Sequence, residues 1–196
     1  VIKNFVIQYL EEVKHICGSI SVEDIIKFSA AVQDTKTNNG RVFFLGVGGS
    51  AGNTSHAVND FRKILGIESY SASDNISELT ARINDDGWDS SYSNWLKVSK
   101  LSEKDAIIVF SVGGGSDTTS KNLVHSIDYA NKVGAKVLSI VSRDGGYSKD
   151  HSDVCVLIPV VHSDRITPHA EEWQAIIWHL IVSLLKENND KTFTNK

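Results

Sequence analysis

Cysteine, proline and unbroken apolar stretches are all scarce in this chain of 196 residues. Cys17 and Cys155 are its only thiols. They lie far apart and neither belongs to a C-x-x-C pair. That excludes a disulfide framework and a thiolate metal knuckle, and it suits a reducing compartment. The only prolines are Pro159 and Pro168, and no low-complexity segment or internal repeat divides the chain. No apolar run reaches the roughly 18 residues that cross a bilayer. The longest candidate, 175–185, is interrupted by His179 and Ser183. Basic blocks are missing too: Lys plus Arg number 20 against 24 Asp plus Glu, a formal net charge of −4. Phosphate neutralisation along a nucleic acid needs clustered cations, so that partner is not expected. The opening Val-Ile-Lys-Asn-Phe is too charged and too short in its apolar part for a signal peptide, and a cytoplasmic protein is expected. What is present is ordinary for a globular protein, with 41% hydrophobic and 22% charged residues. The length suits one domain, 1–196, with a core that needs no staples.

Periodicity orders that domain. Val1, Phe5, Val6, Leu10, Val13, Ile16 and Cys17 recur at helical spacing, and Ser21-Val22-Glu23-Asp24 resembles a capping box that opens a second helix. The two helices fill 1–38. Four continuous apolar runs follow, at 41–45, 105–110, 136–141 and 154–159, each of the kind found in strands buried on both faces. Helical stretches separate them, and a long closing helix is expected over 169–186, with Pro168 where it should begin. The polar residues 188–196 read as a frayed tail. Alternating buried strands and helices argue an α/β fold with a parallel sheet covered on both faces.

Two strand-to-helix turns are rich in glycine. Gly46-Val47-Gly48-Gly49-Ser50-Ala51-Gly52 is the first and Ser111-Val112-Gly113-Gly114-Gly115-Ser116 the second. Glycine lets backbone N–H groups approach a ligand, the following helix N-terminus favours an anion, and serine hydroxyls suit phosphate oxygens. Neither turn is a Walker loop. The first nearly matches G-x-G-x-x-G with Ala51 in the third slot, which leaves a nucleotide site as an alternative. A tight turn capped by Ser116 is the plainer reading of the second.

A second constellation could hold a metal or move protons. His56 and Asp60, four apart, share a helix face. Glu171 and His179 lie on the closing helix, with Glu172 nearly aligned with His179. Two imidazoles and two carboxylates suit a divalent metal, zinc first, and equally suit proton transfer. A surface His–Asp pair and a satisfied core histidine are the structural alternatives.

Taken together, GVGGSAGNTSHAVNDF after a strand, IVFSVGGGS before a helix, and a late helix with Glu171 and His179 resemble the sugar isomerase (SIS) domain, in its phosphoheptose isomerase branch. The resemblance implies a flavodoxin-like parallel sheet, helices on both faces, preceded by the two N-terminal helices, in a homotetramer with shared active sites. It implies a phosphorylated sugar held by Ser50, Ser111 and Ser116 and by the backbone at Val112 and Gly113, with Asn84 and Asp85 on sugar hydroxyls. It implies zinc on His56, Asp60, Glu171 and His179, with Asp60 and His179 as the proton-transfer pair and Glu171 as an alternative base. Asp60 stands where that family has Glu, Glu171 where it has Gln, and the second turn keeps only the outer serines of Ser-Thr-Ser-Gly-Asn-Ser. The expectation is an aldose–ketose isomerase for sedoheptulose 7-phosphate. The alternative is a non-catalytic SIS module that binds a sugar phosphate or a protein partner.

Overall fold

Neighbouring residues in the apolar runs face opposite sides of a single sheet. The computed structural model describes the backbone of residues 1–194 and side chains as far as Asn188. Five parallel strands, β1 (Val42–Gly46), β2 (Ser69–Ser71), β3 (Ala106–Phe110), β4 (Lys136–Val141) and β5 (Val154–Leu157), lie in the order β2-β1-β3-β4-β5. This is the doubly wound order of flavodoxin-like sheets, and the expected fold class holds. One face presents Val42, Phe44, Ile108, Phe110, Leu138 and Ile140 to α1 (Ile2–Ser19), α2 (Val22–Thr37), α3 (Gly49–Lys63) and α8 (Ile166–Thr194). The other presents Phe43, Leu45, Ile107, Val109 and Val137 to α5 (Ser91–Val98) and α6 (Lys121–Val133). Two short helices, α4 (Ile76–Asp86) and α7 (Gly146–His151), complete the chain order.

The sequence expectations differ from this structure in three places. The edge strand β2 was not anticipated, because Ser-Tyr-Ser carries no apolar run. The closing helix starts at Ile166, one turn before His169, because Pro168 falls in its first turn, where a missing N–H costs nothing. The same helix continues to Thr194. The tail expected over 188–196 therefore lies mostly outside the residues whose side chains are described. The expected cap of α2 is present, with Ser21 Oγ accepting from the Asp24 N–H at 3.2 Å.

Two ion pairs set the frame around the sheet. Glu12 on α1 is buried against the start of α8, where it accepts from Arg165 Nη2 at 2.6 Å and Nε at 2.8 Å, with His169 Nε2 at 2.9 Å. Bonding from Arg165 outweighs burial and, with His169 added, holds the Glu12 carboxyl at about 2. At the opposite end of the strands, Asp105 accepts from the Arg41 side chain, the Arg41 N–H, and the Ser102 N–H and hydroxyl. Burial alone would raise the Asp105 pKa; the bonds from Arg41 and Ser102 outweigh it and lower it. The folded value thus lies below the unfolded ~3.9, so the pair's contribution is complete above that pH and is lost as pH falls through the folded value. Asp105→Ala leaves the Arg41 guanidinium without its buried partner and should cost about 3 kcal/mol in urea unfolding at pH 7. The gap to wild type should close in acid, below the folded pKa of Asp105.

Candidate active site

The strand order reverses between β1 and β3, and ligands in such sheets bind beyond the carboxyl ends at that point. There the structure has a cavity of about 500 Å³. Val47 and Ser50 after β1, Ser111 to Ser120 after β3, Arg143 to Gly146 after β4, and Thr167 at the start of α8 contribute its walls. The glycines of the second turn serve the backbone first. Gly114 has φ +74°, and a Cβ there would lie 1.9 Å from the Gly145 carbonyl oxygen. That close approach lets the N–H groups of Tyr147 and Ser148 donate to the Gly115 and Gly114 carbonyls at 3.0 and 2.9 Å. Among the described residues, no protein acceptor takes the N–H groups of Val112, Gly113 and Gly115. Ser116 does not cap α6: its hydroxyl accepts from the Thr118 and Thr119 N–H groups, and Ser120 is the capping residue.

From this cavity α3 and α8 run side by side in the same direction, joined by two amide side chains. Gln174, fully buried, donates to Ser50 Oγ at 3.0 Å. Asn53 Nδ2 lies 2.9 Å from both Gln174 Oε1 and the Glu171 carbonyl. On the solvent side, Gly49, Gly52, Asn53 and His56 of α3 face Glu171, Ala175 and His179 of α8, and none of these seven is buried. The α8 residues form an i, i+4, i+8 stripe.

At the far end of this seam three donors converge. His56 Nε2 lies 3.6 Å and His179 Nε2 3.3 Å from Asp60 Oδ2, and the three ligand atoms lie within 4.8 Å of one another. Asp60 is buried, while both imidazole side chains are about half exposed. Trp178, stacked on Phe110 of β3, donates its indole N–H to Asp60 Oδ2 at 3.2 Å. His179 Nδ1 lies 2.7 Å from the Ala175 carbonyl, a contact that fixes the ring with Nε2 toward Asp60. Two imidazoles, one carboxylate and an open solvent side are the donor set of a divalent metal with an exchangeable position. The residues fit such an ion.

Glu171 lies outside this cluster. Its carboxylate covers Gly49, where a Cβ would come within 2.3 Å of Oε2. Eight residues of helix, about 12 Å of rise, separate it from His179. The four-ligand set expected from the resemblance is thus three residues in one chain. Nor do Asn84 and Asp85 reach the cavity. They sit exposed at the end of α4, a helix with no buried residue. Ser50, Ser111, Val112, Gly113 and Ser116 all line it. Sequence reasoning did not single out the Trp178 N–H, nor Arg143, Thr119, Ser120 and Thr167. Inspecting the carboxyl end of the third apolar run, 136–141, would have found Arg143.

The SIS domain family pattern matches residues 8–142. The phosphoheptose isomerase of Chlorobaculum tepidum is 30% identical over 171 residues, covering 83% of this chain and 78% of its own. That of Helicobacter pylori strain P12 is 28% identical over 174 residues, covering 86% of each. Among solved structures, a phosphoheptose isomerase from Neisseria gonorrhoeae superposes with a TM-score of 0.82 at 21% identity, over 94% of this chain and 98% of that one. The fold, the cavity at its switch point and these matches together place the chain in the SIS domain family, among the phosphoheptose isomerases.

Proposed function

We propose that the chain is a cytoplasmic aldose–ketose isomerase that interconverts sedoheptulose 7-phosphate and a heptose 7-phosphate. It would work as a homotetramer with shared active sites and one zinc ion per subunit. The observation that carries this reading is the solvent-facing seam that leads from an anion cradle at Ser50 to the His56–Asp60–His179 cluster. From Ser50 to His56 the rise along α3 is about 9 Å. A seven-carbon chain with its phosphoester, at roughly 1.25 Å of advance per bond, spans about 10 Å. A substrate anchored by its phosphate at one end therefore presents its carbonyl end to the cluster at the other.

In this reading the hydroxyls of Ser50, Ser111 and Ser116 and the N–H groups of Val112 and Gly113 hold the phosphate and fix the reacting carbons. Glu171, over Gly49, meets the middle of the chain and orients its hydroxyls. At the far end the Asp60 carboxylate removes the proton from the carbon next to the carbonyl. His179 then moves a proton to or from the neighbouring oxygen through Nε2. A positioned acid–base pair of this kind contributes roughly 10²–10⁴-fold. Zinc held by His56, Asp60 and His179 supplies, when bound, Lewis-acid stabilisation of negative charge on that oxygen.

The assembly draws support from what one chain leaves uncovered. Ile2, Phe5, Val6, Ile7 and Leu10 on α1, and Ile176 and Leu180 on α8, are exposed, and apolar surface of this extent marks contacts between chains. In this reading Asn84 and Asp85, exposed and away from their own cavity, meet the hydroxyls of the sugar bound to a neighbouring subunit. A non-catalytic sugar-phosphate module would need the cradle alone; the converging histidines favour the enzyme.

Purified protein loaded with zinc should convert sedoheptulose 7-phosphate. His179→Ala should lower kcat/KM at least 10²-fold with the circular dichroism spectrum unchanged. A five-carbon ketose phosphate, too short to span cradle and cluster, should be at least ~10-fold poorer. Absence of turnover with every phosphorylated ketose of five to seven carbons would leave the binding module as the function.

The metal has its own test. Equilibrium dialysis should give about one zinc per chain. His56→Ala and His179→Ala should each weaken binding by at least ~100-fold, at or beyond the loss expected for an outer-shell partner. Glu171→Gln should bind zinc as the parent does; loss of zinc in that variant would return Glu171 to the ligand set.

A further inference from the structure

The cradle proposed for the phosphate is built almost wholly from neutral donors. Its hydroxyls come from Ser50, Ser111, Ser116, Thr119, Ser120 and Thr167, and its free N–H groups from the second turn. A sugar phosphate carries close to two negative charges at neutral pH. Among the described residues, Arg143 is the one basic side chain that lines the cavity. Building on the sugar-phosphate reading above, we infer that Arg143 is the charge partner of the bound phosphate and sets the chain's preference for phosphorylated substrates.

Three features of the site converge on this role. First, the Arg143 guanidinium has no hydrogen bond or ion pair to any described residue. Its neighbour Asp144 also lines the cavity but forms no ion pair with it; Asp144 Oδ1 accepts from the Gly146 N–H at 3.2 Å within its own loop. Second, the arginine stem lies over the second turn: Arg143 Cδ is 3.7 Å from where a Cβ on Gly113 would stand. That turn has Val112 and Gly113 at two positions where the resembling family has hydroxyls, so the arginine stem lies over the stretch that lacks side-chain donors. Third, Arg143 has φ +56°, a conformation non-glycine residues seldom adopt and one that gathers at ligand clamps. Ser120, on another wall of the same cavity, has φ +54°. A loop free to relax would place glycine at 143, as it does at Gly145 and Gly146. A planar guanidinium offers a phosphate two parallel donors, and a charge-assisted bond is about twice as strong as a neutral one.

The test measures binding of inorganic phosphate to the full chain by calorimetry, beside KM and kcat for sedoheptulose 7-phosphate. Arg143→Gln should weaken phosphate binding at least ~10-fold, and the loss in turnover should appear in KM rather than kcat. Arg143→Gly relieves the backbone conformation, so its melting temperature should equal or exceed that of the parent while phosphate affinity falls as in Arg143→Gln. Phosphate affinity and KM within twofold of the parent in both variants would overturn the inference and leave the isomerase reading intact. Arg143-dependent phosphate binding without turnover of any ketose phosphate would uphold the inference and remove the isomerase. Failure of the parent chain to bind phosphate at all would overturn the cradle and the arginine's role together.

Discussion

The register between α3 and α8 positions the cluster, and two amides, one of them fully buried, hold it. Gln174 bridges Ser50 and Asn53, and Asn53 in turn reaches the Glu171 carbonyl. Leucines would bury more apolar area at these positions, but they would also let the two helices slide. A slip of one turn, about 5.4 Å, would strand the Gln174 amide in a dry interface, and an unpaired buried amide costs about 1–3 kcal/mol. The same slip would carry His179 and the Trp178 indole away from Asp60. The polar contacts thus trade some stability for one permitted alignment, which is the role buried polar networks serve best.

The sheet supplies the other half of the site. Gly46, Phe110 and Ile140 are aligned across β1, β3 and β4, so the loops after these strands leave at one level and meet above the switch point. Glycine in those loops answers a packing demand as much as a ligand. Gly146 could not carry a Cβ, since it would stand 2.2 Å from the Gly113 carbonyl oxygen. The interlocked loops use carbonyls 112, 114 and 115 internally and turn N–H groups outward. That division of donors from acceptors is the backbone arrangement an anion needs, and it is what the proposed phosphate cradle relies on.

Legibility in the sequence followed the range of the interactions. β1, β3, β4 and β5 were readable because strands buried on both faces must be apolar throughout, while β2 is three residues at a sheet edge and carries no such signature. α4 and α5 were not anticipated, since α4 buries nothing and α5 is a short helix after it. The His56–Asp60 pair was readable because four residues of helix fix its geometry. Its meeting with His179 crosses more than a hundred residues of chain; residue types alone offered it beside structural alternatives, and the family resemblance chose it. The resemblance in turn grouped Glu171 with the wrong partners for a single chain, because it carries residue types and not the axial distance along α8. Trp178 went unread as a donor for a related reason: an apolar residue on a core face gives no sign that its N–H has found a carboxylate.

In the proposed isomerase, the distance between cradle and cluster selects for both ends of a substrate at once. A protein with net charge −4 gains no general attraction for an anion, so the pull on a phosphate must be local. The N-terminus of α3, where no side chain caps the helix, adds about half a positive charge beside Ser50. The same end, however, carries the Glu171 carboxylate over Gly49, which partly cancels that field. An anion entering beside Glu171 is therefore steered toward the second and third loops, away from the seam, and the uncharged remainder of the molecule is left to lie along α3. If the chain works as proposed, charge at one end and length along the helix act as independent filters: the first admits phosphorylated compounds, and the second admits those whose carbonyl can reach Asp60.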